Sequence, residues 1–87
     1  MAWKVELRPE AKKTLDKLDK PVRNRISAAL DEIEASDNPR RLLAPYSGPL
    51  AGLWKKRVGD YRLVCEIQDN IVTVTVISIG HRSKVYR

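Results

Sequence analysis

Two turn dipeptides, Gly59-Asp60 and Asp69-Asn70, cut the C-terminal part of the chain into three apolar-patterned runs, Leu53 to Val58, Tyr61 to Gln68 and Ile71 to Ile79. Runs joined by two-residue loops of this kind fold as an antiparallel meander. Reading both pairs as two-residue loops also sets the register. Across the first loop Val58 faces Tyr61, Lys56 faces Leu63 and Trp54 faces Cys65; across the second Gln68 faces Ile71, Cys65 faces Val74, Leu63 faces Val76 and Tyr61 faces Ser78. One side of the sheet is then largely apolar. The other carries Lys55, Arg57, Arg62, Val64, Glu66, Thr73, Thr75 and Ile77, with Arg57 directly opposite Arg62. Like charges so placed cost stability unless they are well solvated or an anion offsets them. Lys56 falls on the apolar side between Trp54 and Val58. Either its stem lies over apolar surface with the amine at the edge, or the register is displaced by one.

Upstream, Trp3, Val5 and Leu7 alternate with Lys4, Glu6 and Arg8, the period-two pattern of a strand with one buried face. Pro9 suits the first turn of a helix, Glu10 complements its positive end, and Ala11, Leu15 and Leu18 recur at helical spacing. Asp19 or Lys20 ends that helix. Asp19 also caps the next, in which Pro21 lies early and Val22, Ile26, Ala29, Leu30 and Ile33 form one apolar stripe. Ser36 to Pro39 stop it, and the stretch through Pro45, Ser47, Gly48, Pro49 and Gly52 is a long connection with room for a short helical turn. The order is β-α-α-β-β-β. It predicts an α+β fold in which a helical hairpin packs on the apolar face of a small antiparallel sheet.

A chain of 87 residues has room for one domain, 1–87, with a modest core. Its formal net charge of +6 favours polyanionic partners. The charge is unevenly placed: Met1 to Asn38 hold 8 basic and 8 acidic residues, 8 − 8 = 0, whereas Pro39 to Arg87 hold 9 and 3, 9 − 3 = +6. A neutral half joined to a basic half implies one positive face. One cysteine, Cys65, and one histidine, His81, exclude an internal disulfide and an ordinary structural zinc site. Charges at Lys4, Glu6, Arg8 and Glu10 interrupt any secretory signal, and no apolar run reaches the roughly 20 residues of a membrane span. A cytoplasmic domain needing neither metal nor small-molecule cofactor is expected.

Gly52-Leu53-Trp54-Lys55-Lys56-Arg57-Val58-Gly59-Asp60-Tyr61-Arg62-Leu63-Val64, followed by Ile77-Ser78-Ile79-Gly80-His81-Arg82 and Val85-Tyr86, resembles the RelE/ParE superfamily of toxins from type II toxin–antitoxin systems. The resemblance extends over nearly the whole chain, since the order of elements agrees. Its RelE branch implies a metal-independent, ribosome-dependent endoribonuclease that cuts messenger RNA in the aminoacyl site. Its ParE branch implies a DNA gyrase inhibitor on a nearly identical scaffold. Either implies a cognate acidic antitoxin as partner, and the first adds the ribosome and messenger RNA. The combination of Arg62, Arg82 and Tyr86 favours the ribonuclease.

By position, the resemblance assigns Lys55 and Arg57 to the basic residues of the first hairpin strand and Arg62 to the arginine after its turn. Arg82 matches the arginine after the glycine of the last strand, and Tyr86 the near-terminal tyrosine, with two fewer residues between them than in the best-known ribonucleases. These five are the expected catalytic set, and Lys84 joins Lys55, Arg57, Arg62 and Arg82 as an RNA phosphate contact. The residue types suit the chemistry. Attack by the RNA's own 2′-hydroxyl needs an in-line geometry, a base, an acid for the leaving 5′-oxygen and cations around the transition state. Arginine supplies bidentate phosphate contacts. His81 is the remaining acid–base candidate, with a reference pKa of about 6.5; its place beside Arg82 turns it toward the other side of an extended segment. Cys65, at an inward strand position, reads as a small core residue.

Overall fold

A computed structural model describes residues 3–81 of the chain. Strand β1 (Lys4–Leu7) alternates exposed Lys4 and Glu6 with half-buried Val5 and Leu7. Helix α1 (Pro9–Lys17) opens with proline in its first turn and Glu10 behind it, and buries Ala11 and Leu15. It ends earlier than the sequence suggests, because Leu18 is already extended and its N–H bonds back to the Leu15 carbonyl at 3.2 Å. Helix α2 (Lys20–Ala35) has Asp19 at its N-cap position but no side-chain capping bond there. Pro21 at the second helical position has no N–H to offer that carboxylate. Ile26, Ala29, Leu30 and Ile33 make the buried stripe of α2. Among the described residues, no helix is long and apolar enough to cross a membrane.

The connection after α2 holds 3₁₀ turns over Pro39–Arg41 and Gly48–Leu50, separated by a two-residue strand β2 (Ala44–Pro45). Strands β3 (Trp54–Val58), β4 (Tyr61–Gln68) and β5 (Thr73–His81) follow, and the sheet runs in the order β1-β5-β4-β3-β2. The helices pack on one face of it, as the α+β pattern predicts. The sheet is mixed rather than wholly antiparallel, for β1 pairs with β5 in parallel. The two reversals of the meander return β5 to the direction of β3, and it arrives beside β1 running the same way.

The β3–β4 hairpin has the register expected from a two-residue loop, with Arg57 opposite Arg62 and Lys56 opposite Leu63. Half-buried Lys56 therefore lies on the helical side of β3 by register and not through a slip. The β4–β5 connection departs from expectation. It spans four residues, with a 3₁₀ turn over Asp69–Ile71 and Val72 left-handed at φ 50°, and pairs Gln68 with Thr73. Two extra loop residues preserve face parity, so Cys65 and Val76 still point inward. A bulge then changes the parity: Cys65 faces Val76 but Val64 faces Ser78, leaving Ile77 as the extra residue. Beyond it Ile79 turns inward, Gly80 lies opposite Arg62, and Tyr61 faces His81 instead of Ser78.

Ala11, Leu15, Ile26, Leu30, Ile33, Leu43, Leu63, Cys65, Val74, Val76 and Ile79 form the core between helices and sheet. Because these side chains project to one side, Lys55, Arg57, Arg62, Val64 and Glu66 of β3 and β4 are left on the opposite face of the sheet.

Candidate nucleic-acid interface

Strand alternation sends Lys55 and Arg57 of β3, and Arg62 of β4, to the face away from the helices. Register brings them into two neighbouring rows. One runs Arg57, Arg62, Gly80 across β3, β4 and β5; the other runs Ala44, Lys55, Val64, Ser78 across β2 to β5. Gly80 has no side chain to cover Arg62 from the β5 side. Arg57 is exposed, while Arg62 retains only 7 % of its surface accessibility. Arg62 thus lies at the base of the cluster and Arg57 at its outer surface.

These residues line an open groove of about 580 Å³ together with Arg41, Leu42, Leu43, Ala44 and Lys56. The size falls in the range of about 300–1,000 Å³ typical of ligand clefts. Among the described residues, the charged side chains that line it are five cations, Arg41, Lys55, Lys56, Arg57 and Arg62, and no carboxylate. A cleft lined by one sign of charge concentrates the opposite sign by field focusing. The arrangement therefore suits a phosphodiester backbone.

Two members of this region were not among the sequence candidates. Arg41 belongs to a 3₁₀ turn in a stretch that reads only as a connection, although the Arg40-Arg41 pair after Pro39 was a visible basic signal there. Tyr46, the sole aromatic of that connection, places its ring 5.1 Å from the Lys55 ammonium. The contact is a cation–π pair. Its backbone N–H donates to the Leu53 carbonyl at 3.0 Å, while its hydroxyl is buried with no hydrogen-bond partner among the described residues.

His81 takes a different position. It sits opposite Tyr61 on the helical side of the sheet, with ring centroids 5.2 Å apart and planes at 88°. It is not on the face of Lys55, Arg57 and Arg62. Arg82, Lys84 and Tyr86 lie outside the described residues; β5, which leads to them, ends at His81, one residue past the Arg57–Arg62–Gly80 row. Cys65 is fully buried and burial pushes its thiol up to about 12, so it stays an un-ionised core residue.

The wall of the groove is tied down from behind. Both carboxylate oxygens of Asp69 accept from the Arg40 guanidinium, at 2.9 and 2.7 Å, and that guanidinium lies 5.5 Å over the Trp54 ring. The pairing raises the pKa of Arg40 and lowers that of Asp69, through their hydrogen bonds first.

Comparison with known proteins places this geometry in a family. The model of the ParE toxin of type II toxin–antitoxin systems, parDE, matches residues 5–86. Toxin RelG of Mycobacterium tuberculosis is 34% identical over 90 residues, covering 100% of this chain and 99% of RelG. The crystal structure of the isolated E. coli RelE toxin superposes with a TM-score of 0.76 at 30% identity, over 98% of this chain and 92% of that one. The toxin–antitoxin complex RelBE2 of M. tuberculosis gives 0.72 at 32% identity, over 97% and 95%.

Proposed function

The chain belongs to the RelE/ParE superfamily of toxins of type II toxin–antitoxin systems, and on that premise we propose that it is a ribosome-dependent endoribonuclease that cuts messenger RNA in the aminoacyl site. The observation that carries this reading is the basic row on the open sheet face, with Arg62 at its base, Arg57 beside it and Lys55 in the next row. Its closeness over full length to proteins named RelG and RelE supports the ribonuclease branch.

In the proposed reaction the 2′-oxygen attacks the adjacent phosphorus, the P–O5′ bond breaks, the 2′-proton passes to a base and the departing 5′-oxygen receives a proton. Arg62 and Arg82 hold the scissile phosphate and stabilise its added charge; Lys55, Arg57 and Lys84 orient the strand; Tyr86 stacks on a base or takes part in proton transfer. An unperturbed Tyr or Lys is deprotonated in only about one molecule in a thousand at pH 7. Lowering such a pKa by about 3 units needs roughly 4 kcal/mol, a large demand on an exposed site screened by salt. Free RNA is therefore a poor substrate, and the ribosome contributes the fixed nucleotide geometry. His81, on the far side of the sheet, is outside this scheme.

The toxin acts in the cytoplasm and is held in check by a cognate acidic antitoxin, drawn to the basic half by electrostatic steering; the RelBE2 relative is itself a toxin–antitoxin complex. A second reading, inhibition of DNA gyrase without nuclease activity, is favoured by the parDE family model. Incubation with ribosomes stalled on a defined messenger separates the two. Cuts within the aminoacyl-site codon support the ribonuclease, and gyrase-dependent DNA breaks with an intact messenger support the other.

A further inference from the structure

The sheet does not supply the whole groove. Lys55, Arg57 and Arg62 come from β3 and β4, but Arg41, Leu42, Leu43 and Ala44 come from the 3₁₀ turn and short strand before them. Arg40 and Arg41 are adjacent in that turn and serve different sides. Arg40 is held by Asp69 and lies over Trp54, whose register partner is the inward Cys65, whereas exposed Arg41 lines the groove. The turn itself is fixed: Pro39 and Leu43 are buried on either side, and the Arg40 N–H donates to Asn38 Oδ1 at 3.1 Å. Among the described residues, the ion pairs are Lys4–Glu6, Lys12–Asp16 and Arg40–Asp69, so no carboxylate there neutralises Arg41. A planar guanidinium carried on a held turn, at a groove whose described charged residues are all cations, offers a bidentate phosphate donor beside the sheet face.

We propose that Arg41 is a substrate-binding residue, contacting an RNA phosphate from the wall of the groove that lies outside the β3–β4 hairpin. The inference rests on the ribonuclease reading for the identity of its ligand. It extends the track of the strand from the sheet face onto the connection after α2.

The test is binding of a short fluorescent single-stranded oligoribonucleotide by anisotropy, titrated between about 50 and about 200 mM KCl. Each phosphate contact removed flattens the dependence of log K on log salt by about 0.7, which is about a fivefold loss of affinity at about 0.1 M. Arg41→Gln and Arg57→Gln should each show that change, Arg41→Lys should keep most of the slope, and Lys13→Ala on α1 should change nothing. If Arg57→Gln flattens the slope and Arg41→Gln does not, the inference is overturned while the ribonuclease reading stands. If the wild-type toxin binds RNA with no salt dependence, both fall together.

Discussion

Arg62 keeps 7 % of its accessibility and lies directly opposite the exposed Arg57 across the β3–β4 pair. In the proposed reaction these two guanidinium groups act most strongly on the transition state, where the charge on the phosphorus oxygens is greatest. Arg62→Ala should therefore reduce ribosome-dependent cleavage by about 10²–10³-fold, the scale of losing one preorganised charge-stabilising donor. Arg62→Lys should restore only part of it, since an ammonium lacks the bidentate fork. Single-turnover cleavage of a stalled messenger measures both. Tyr46 gives a prediction of opposite sign. Its buried hydroxyl has no partner among the described residues, so Tyr46→Phe should raise stability by about 1 kcal/mol in denaturant unfolding while keeping the ring beside Lys55. Cys65 adds a pH dependence. Its thiol is held up to about 12 in the folded protein against 9.0 ordinarily, so the unfolded chain loses this proton first as pH rises. The Cys65 contribution to stability is complete below about 9 and declines above it. Comparison with Cys65→Ala between about pH 8 and 11 should show a steeper loss in the wild type.

Among the elements, the β4–β5 connection is the most informative. Asp69-Asn70 read as a two-residue loop, yet the turn takes four residues and forces Val72 to φ 50°. Left-handed backbone is costly for a β-branched residue. Val72→Gly should accordingly stabilise the protein by about 1 kcal/mol in thermal or denaturant unfolding. No local signal in the sequence announces a left-handed valine, and the bulge that follows it is fixed by packing of Val76 and Ile79 against the helices. Those are tertiary causes. Gly59-Asp60, in contrast, was legible because Gly59 does adopt φ +59°, as a tight hairpin requires. The same connection anchors the groove wall through Asp69 and Arg40. The depressed pKa of Asp69 means that this pairing stabilises the fold above the ordinary carboxylate range and is lost as pH falls through the folded value. Asp69→Asn should remove that part of the acid sensitivity, as followed by thermal unfolding between about pH 2 and 6.

At the scale of the whole molecule, the division into a neutral half and a basic half was plain in the sequence and corresponds to the division between the helical layer and the sheet that carries the groove. Lys55, Arg57 and Arg62 could be placed on one face from alternation and one turn alone, because strand periodicity carries that information directly. Arg41 and Tyr46 could not, since a connection has no periodicity to say where its side chains go. Nor could the parallel pairing of β1 with β5, which depends on where the helical hairpin returns the chain. The proposed function requires the basic groove to hold a messenger while it is cut. The direct measurement is 5′-end mapping of messenger from stalled ribosomes incubated with the wild-type toxin or Arg62→Ala. Cuts confined to the aminoacyl-site codon are expected with the wild type, and their loss with Arg62→Ala. An intact messenger with the wild type, or cuts of equal strength with Arg62→Ala, would contradict it.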